Sequence, residues 1–240
     1  HYLENNYRIE DPDLDIIGYE WDIIVEEGND IEYNRLTDYL RTADPASPEF
    51  YERISEKIDI DGLIDYYSAQ LYFANADWPK KNLELWRIRS EESKWRYFFF
   101  DPDAAMIWLN YDQIEDHQEM LESYQIYPEF STLLFSTLIR NEDFKKEFQA
   151  AFLHHLKTTF NPDTVLKLIN RFEKVYSPLV PEHIYRWRFP VSYPSCSKIL
   201  DRLRTFAVLR PMIIAEQLQE SFGNPFVIYP NLGKGIFTVT

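Results

Sequence analysis

Residues 75–103 read NADWPKKNLELWRIRSEESKWRYFFFDPD, and this stretch decides the fold. After Asn82 the segment LELWRI alternates apolar and polar side chains, RSEESK is a polar turn, and WRYFFF is a second run rich in aromatic residues. Such runs on both sides of a polar turn predict a β-hairpin. A hairpin returns the chain to its starting end, so we expect residues 77–82 to lie near Asp101 and Asp103.

Most of the remaining sequence has the periodicity of amphipathic helices. The predicted helices cover residues 30–42, 48–57, 59–75, 131–141, 141–160, 161–176 and 197–210. Asp59 or Asp61, Asn141 and Asn161 are the expected N-terminal caps. Pro211 is expected to break or kink the last helix before a further helical segment that ends at Gly223.

Strands are predicted only at the two ends and in the central hairpin. The first 31 residues are irregular and strand-like, and they end in a turn at Gly28. The tail after residue 222 reads as two short strands. The predicted fold class is therefore α+β and mainly helical.

Composition narrows the classes of function. The chain has 240 residues, enough for one large domain or two small ones, and acidic residues outnumber basic ones 40 to 25, giving a net charge of −15. Because no long Lys/Arg cluster interrupts this charge, binding to nucleic acid through phosphate neutralisation is disfavoured. No apolar run reaches the length of a membrane span. The single cysteine, Cys196, excludes an internal disulfide.

Four polar side chains around the hairpin carry the candidate chemistry: Asp77, Asn82, Asp101 and Asp103. Carboxylate and amide oxygens are the ligands that Mg²⁺ or Mn²⁺ takes, together with water and substrate phosphates. The spacing Asp-x-x-x-x-Asn is that of a protein-kinase catalytic loop, where a later Asp after a strand also binds metal. Each residue also has a structural interpretation, in which it caps a turn or bonds its own loop.

The order of several separated motifs resembles the CotH family, the spore-coat-protein-H-like atypical kinases. The matching segments are DIDGLIDYYSAQLYFANADWPKKNLELWRI, KWRYFFFDPD, STLLFSTLIRNEDFKKEF and PEHIYRW. The resemblance runs from the start of the chain to Phe222 and is densest over residues 72–103. It implies a domain over residues 1–222, a strand-like tail over residues 223–240, and the C-terminal lobe of an atypical kinase-like fold.

The resemblance also implies roles for the polar residues. Asp77 would be the catalytic-loop carboxylate, Asn82 and Asp101 the metal ligands, and Asp103 the second acid of the family's D-x-D. The implied cofactors are ATP with Mg²⁺ or Mn²⁺, and the implied acceptor is a Ser or Thr of a partner protein. Lys81 replaces the first of two Asn residues common in the family, and it could reach a phosphate instead.

Further departures limit these expectations. Ala104 and Ala105 follow the D-x-D where the family commonly has an aromatic residue and Gly. No glycine-rich loop and no strand Lys with a helix Glu partner can be identified, so we expect the chain to lack most of the ATP-binding lobe. The chain alone is therefore expected to be inactive or very poor. His183, Arg186 and Trp187 match the family's H-x-x-R-W pattern and are expected to pack structurally.

Two other functions compete with the kinase. An Asp-x-Asp after an apolar strand also occurs in metal-dependent nucleotide-sugar glycosyltransferases, although the alternation of parallel strands and helices expected for them is missing. A coat or surface protein with a decayed kinase site, acting by binding a partner, is the third interpretation. We expect a monomer, and the resemblance suggests a spore coat or an extracytoplasmic surface as its location.

Overall fold

A computed structural model gives the architecture of the chain. It describes residues 3, 7, 13–19, 22–112, 114, 129–189, 192–223, 228–231 and 236–239. The predicted strand-like beginning lies outside the described residues at positions 1, 2, 4–6, 8–12, 20 and 21. Two compact units are present: residues 1–67, 77–102 and 115–148 form the first, and residues 68–76, 103–114 and 149–240 form the second.

A four-stranded antiparallel sheet belongs to the first unit. Its strands are β1 (Leu14–Tyr19), β2 (Ile23–Glu27), β3 (Leu83–Ile88) and β4 (Arg96–Tyr97), in the order β2-β1-β3-β4. In the register, Leu85 of β3 pairs with Ile17 of β1 on one side and with Tyr97 of β4 on the other. The predicted hairpin is therefore confirmed.

The second strand of the hairpin is shorter than predicted. Only Arg96 and Tyr97 form β4, although the amide of Phe98 still donates to the Glu84 carbonyl at 3.0 Å. Extended backbone ends at Asp101, whose φ of 48° is left-handed. Phe99, which follows this short strand, is 38% exposed.

The helices overlap the predicted amphipathic segments, except at residues 180–187, where no helix was predicted. They are α1 (Ile31–Thr42), α2 (Pro48–Lys57), α3 (Ile60–Phe73), α4 (Glu129–Leu138), α5 (Glu142–Lys157), α6 (Pro162–Tyr176), a 3₁₀ turn (Ser177–Leu179), α7 (Val180–Trp187) and α8 (Tyr193–Phe222). Mainly helical α+β architecture is thus confirmed. Within the part of the chain that the structure describes, no helix has both the length and the apolar character required to span a membrane.

Polar side chains cap the starts of three helices as predicted. The Asn141 side-chain oxygen accepts from the amides of Asp143 and Phe144 at 3.1 and 3.0 Å. The Asn161 side chain accepts from Asp163 at 3.0 Å, and Pro162 occupies the first turn, where its missing N–H costs nothing. At α3 the carboxylate of Asp59 accepts from the Gly62 amide at 3.4 Å. These bonds satisfy amides that have no partner inside the first helical turn.

Of the predicted break or kink at Pro211, the break is wrong, because α8 continues through this residue, and the kink stays a prediction. A proline inside a helix costs about 3 kcal/mol. Full burial of Ala207, Ile214 and Leu218 on the same helix offsets that cost. Gly223 then ends α8 with a φ of 77°, as expected, although its ψ of 176° lies outside the left-handed helical region.

Aromatic stacking builds the core of each unit. In the first unit Tyr67 stacks on Phe135 with ring centroids 4.1 Å apart, and Trp78 and Trp86 are fully buried. In the second, Tyr72 stacks on Phe160 at 4.2 Å. The tail forms a separate two-stranded antiparallel sheet of β5 (Ile228–Asn231) and β6 (Ile236–Val239), as predicted.

Candidate active site

The open end of the β3–β4 hairpin brings together two of the predicted site residues. The side-chain nitrogen of Asn82 lies 3.3 Å from a carboxylate oxygen of Asp101 and 3.5 Å from its carbonyl oxygen. Asn82 is 8% exposed, whereas Asp101 is exposed. The hairpin explains this pairing, since Asn82 directly precedes β3 and Asp101 follows β4.

Both residues adopt left-handed backbone, with φ of 58° at Asn82 and 48° at Asp101. Asn and Asp are the residues other than Gly that tolerate this region best. Left-handed backbone at such residues often clusters at functional sites, because it directs a short polar side chain where regular backbone would not. At this hairpin it accompanies the meeting of an amide with a carboxylate.

The loop before Asn82 is held by a buried ring. Trp78 is fully buried, with its ring edge-on to Tyr67 at 5.1 Å and to Tyr66 at 6.2 Å. The Trp78–Pro79 peptide bond is cis. The buried Trp78 ring fixes the loop whose first residue is Asp77.

Asp77 and Lys81 form an ion pair within that loop. The lysine nitrogen lies 2.8 Å from a carboxylate oxygen of Asp77, and their side chains are 44% and 30% exposed. The carbonyl of Asp77 also accepts from the amides of Lys80 and Lys81 at 3.1 and 3.0 Å. Asp77 therefore starts a turn through its backbone and pairs with the lysine through its carboxylate.

Asp103 belongs to the second unit, where its side chain is exposed. The segment that follows it is tied to the end of α3, since Ala76 donates to the Ala104 carbonyl at 3.3 Å and Met106 donates to the Phe73 carbonyl at 2.7 Å. The role of Asp103 as a metal ligand stays a prediction.

The second unit contains a buried cation that the sequence patterns did not reveal. Arg210 of α8 is fully buried, and its guanidinium donates to the carbonyls of Leu71 (2.7 Å), Tyr72 (2.9 Å), Leu109 (2.9 Å) and Tyr111 (3.1 Å). The first two carbonyls lie in the last turn of α3, where the Leu71 carbonyl also accepts from the Ala74 amide at 3.3 Å. Burial lowers the pKa of Arg210 to about 10. Arg210 thus joins the end of α3 to the segment that follows Ala104–Met106.

One signal in the sequence points to Arg210 in retrospect. The residues at 206, 207, 210 and 214 share the buried face of α8, and a cation at one of them requires buried acceptors. Several carbonyls rather than a carboxylate meet that requirement here, so a search for an acidic partner would not have identified it.

The expectation that His183, Arg186 and Trp187 pack structurally is wrong. All three are exposed on α7, and Trp187 is 62% exposed. The Arg186 guanidinium lies over the Trp187 ring, 5.1 Å from its centroid, so these two side chains form a cation–π contact at the surface.

Comparison with known families connects this geometry to one of them. A family model described as CotH kinase protein matches residues 8–214, which is most of the chain. The chain belongs to the CotH family. Searches of curated proteins and of solved structures gave no significant match.

A kinase of the CotH family implies ATP and a divalent cation, so the donor set can be tested against that chemistry. Two ligands at neighbouring positions on octahedral Mg²⁺ lie about 3 Å apart, given metal–oxygen distances of about 2.0–2.1 Å. The side-chain atoms of Asn82 and Asp101 lie 3.3 Å apart, and rotating the amide by half a turn presents its oxygen in place of its nitrogen. These residues fit a shared cation.

No group of three or more His, Cys, Asp and Glu side chains in the described part of the CotH chain is arranged to hold a metal. Such a cluster is typical of a site that binds metal with protein ligands alone. Kinase sites use one carboxylate, one amide and the phosphates of the nucleotide instead. The donor pair Asn82–Asp101 has that mixed composition.

Proposed function

We propose that this CotH protein is a metal-dependent protein kinase that transfers the γ-phosphoryl group of ATP to Ser or Thr of a partner protein. The observation that supports this best is the 3.3 Å contact between Asn82 and Asp101, two oxygen-bearing side chains at the end of a hairpin. The family match over residues 8–214 supports the same reaction class.

The reaction assigns a role to each residue of the loop. Asp77 accepts a hydrogen bond from the acceptor hydroxyl and takes its proton as the new oxygen–phosphorus bond forms. The bond from the γ-phosphorus to the bridging oxygen breaks, and ADP leaves with that electron pair. Lys81, 2.8 Å from Asp77, contacts a phosphate oxygen and keeps the Asp77 carboxylate oriented.

Asn82 and Asp101 would hold Mg²⁺ or Mn²⁺, with Asp103 as an additional acid. When bound, the cation neutralises charge on the β- and γ-phosphates. The left-handed backbone at Asn82 and Asp101 presents the two side chains to one another before any ligand arrives. Such preorganisation lowers the free-energy cost of rearranging the site when a ligand binds.

The remaining features of the proposal concern the protein as a whole. We assign residues 1–222 to the kinase-like domain and residues 223–240 to a separate tail. The acceptor is a protein with Ser or Thr, the protein acts as a monomer, and the family name suggests association with a spore coat.

A titration of the full-length protein with Mn²⁺ in the presence and absence of ATP tests this function. Asp101→Asn keeps the shape of the side chain but removes the charge, so it is expected to weaken Mn²⁺–ATP binding by about tenfold or more. Asp38→Asn is the matched control, because Asp38 is 75% exposed on α1 and pairs with Arg41 at 2.7 Å. Transfer of labelled phosphate to Ser or Thr should require the same carboxylate.

Other outcomes distinguish the competing functions. Equal Mn²⁺–ATP affinity in Asp101→Asn and the unmodified protein would contradict the proposed metal site. A preference for a UDP-sugar over ATP would identify a glycosyltransferase. Absence of any nucleotide binding would leave a protein that acts by binding a partner, with a decayed kinase site.

A further inference from the structure

A cavity of about 380 Å³ lies in the first unit between α1, α2 and the turn of the β3–β4 hairpin. Its floor contains Leu36 and Trp95, which are buried, and its rim contains exposed side chains of both helices. Small-molecule sites in proteins have volumes of about 300–1,000 Å³. The cavity is therefore large enough for a small organic ligand.

The charge of this cavity is opposite to that of the chain. Four cations line it, Arg35, Arg53, Lys57 and Arg87, against two acids, Glu32 and Glu56. The whole chain carries −15. A cavity with a cationic excess in such a chain favours an anionic ligand, because the low-dielectric wall strengthens the local attraction.

Two of the four cations are not engaged in ion pairs among the described residues. Arg35 pairs with Glu32, and Arg87 pairs with the buried Asp15 at 3.4 Å. Among the residues that the structure describes, neither Arg53 nor Lys57 forms an ion pair. Both are exposed on α2, where they can turn toward a ligand without breaking an ion pair.

Aromatic rings provide the second half of the site. Tyr39 and Trp95 line the cavity, with the guanidinium of Arg53 5.9 Å from the Tyr39 ring centroid and that of Arg87 5.8 Å from the Trp95 ring centroid. Rings and guanidinium planes stack on flat ligands, and arginine binds phosphate or carboxylate through paired donors. This combination suits a flat ring that carries an anionic group.

The cavity is separate from the proposed transfer site. Arg87 lies five residues beyond Asn82 along β3, a distance of about 16 Å in an extended strand. Trp95 directly precedes β4, whereas Asp101 follows it. The cavity is at the turn end of the hairpin, and the Asn82–Asp101 pair is at its open end.

We propose that this cavity is a second ligand site, specific for a small aromatic anion in which a flat ring carries a phosphate or a carboxylate. Arg53 and Lys57 bind the anionic group, and Tyr39 and Trp95 contact the ring. The inference does not depend on the phosphoryl-transfer function, since it shares no residue with that site.

Binding of phenyl phosphate, followed by ligand-observed NMR and calorimetry, tests the proposal. We expect saturable binding in the millimolar range, as is usual for so small a ligand. Inorganic phosphate and benzyl alcohol, which carry only the charge or only the ring, should each bind more weakly. Benzoate in place of phenyl phosphate establishes which anionic group is preferred.

Charge reversal locates the site. Arg53→Glu with Lys57→Glu should reduce phenyl phosphate affinity by about tenfold or more. Arg171→Glu with Lys174→Glu makes the same change in net charge at exposed positions of α6 and should leave the affinity unchanged. Asp101→Asn should also leave it unchanged. If circular dichroism shows that the first pair disturbs folding, Arg53→Gln with Lys57→Gln replaces it.

Several results would overturn the proposal. They are absence of binding to the unmodified protein, undiminished affinity after the changes at Arg53 and Lys57, and equal loss in the α6 control pair. Loss of phenyl phosphate binding in Asp101→Asn would place the ligand at the transfer site instead. Equal affinity for inorganic phosphate would exclude the aromatic part of the specificity.

Discussion

The side-chain amide of Asn82 lies 3.3 Å from the carboxylate of Asp101, although 19 residues separate them in the sequence. The β3–β4 hairpin produces this contact, because it returns the chain to the end from which it started. Both residues have positive φ, so backbone conformation and side-chain chemistry at this position can be tested separately.

Replacement of Asn82 separates its backbone role from its role as a ligand. Asn82→Ala and Asn82→Gly should both weaken Mn²⁺–ATP binding, because both remove the amide. Asn82→Ala should lose about 1 kcal/mol more unfolding free energy than Asn82→Gly, since glycine accepts a φ of 58° without strain. Urea denaturation and Mn²⁺ titration of both variants check this. Retained Mn²⁺–ATP affinity in the glycine variant would exclude Asn82 as a metal ligand.

Asp77 and Lys81 should differ in their kinetic effects although they are paired at 2.8 Å. Asp77→Asn is expected to lower kcat by about 10²–10⁴ with little change in the KM for ATP, as for loss of a group that takes a proton. Lys81→Met should instead raise the KM for ATP.

Steady-state kinetics of the full-length protein with varied ATP distinguish the two effects. Lys146→Met, at a side chain 72% exposed on α5, is the control for loss of a lysine charge. A fall in kcat that is equal for Asp77→Asn and Lys81→Met would mean that the pair acts as one structural unit.

Arg210 is expected to be critical for stability. Arg210→Met removes the guanidinium bonds of four carbonyls, and we expect the free energy of unfolding to fall by about 3 kcal/mol or more. Arg210→Lys should recover little, because an ammonium cannot reproduce the planar set of donors. Arg171→Met at an exposed position provides the control, with a change within about 0.5 kcal/mol. If denaturant unfolding gives Arg210→Met the same small change in stability as Arg171→Met, this role of Arg210 is contradicted.

Gly28 and Gly223 separate steric clash from backbone strain, since both have a φ of 77°. A Cβ at Gly28 would collide with the carbonyl of Leu14 and the buried carboxylate of Asp15, whereas a Cβ at Gly223 would meet nothing within 4 Å. We expect Gly28→Ala to cost more than about 2 kcal/mol and Gly223→Ala about 1 kcal/mol. Thermal and denaturant unfolding measure both variants. Equal losses of stability in Gly28→Ala and Gly223→Ala would contradict the steric clash and show that the loop around Gly28 rearranges to accept the Cβ.

Alkaline pH should destabilise the fold. Burial raises the pKa of Tyr67, Tyr72 and Tyr97 above the ordinary value of 10.0. Above that value the unfolded chain releases protons that the folded chain keeps, so the free energy of unfolding falls as pH rises past about 10. The lowered pKa of Arg210 acts in the opposite direction from about 10 upward. We expect the three tyrosines to outweigh it.

Urea unfolding between about pH 8 and pH 11 measures this dependence. The slope should be shallower in Tyr72→Phe, which removes one buried phenol whose hydroxyl has no hydrogen-bond partner in the described structure. Tyr185→Phe should leave the slope unchanged, since Tyr185 is 76% exposed. A slope that is flat up to pH 11 would refute the assignment to buried tyrosines.

Local sequence patterns predicted the positions of helices and strands well, but they predicted poorly which residues other segments bury. The caps at Asn141 and Asn161 were predictable because a cap depends on residues three or four positions away. The continuation of α8 through Pro211 and the exposure of Trp187 were not, because both depend on what other segments cover. Propensity and periodicity contain no information on that point.

The sequence by itself determined the helices, the hairpin and the order of polar residues around it, since these follow from periodicity, capping and turn chemistry over short spans. It also carried the family pattern. Only the tertiary structure decided that Asn82 faces Asp101, that Asp77 pairs with Lys81, and that Arg210 holds four carbonyls. The tertiary structure also decided the cavity between α1, α2 and the hairpin turn, because long-range packing, rather than local preference, brings its cations and rings together.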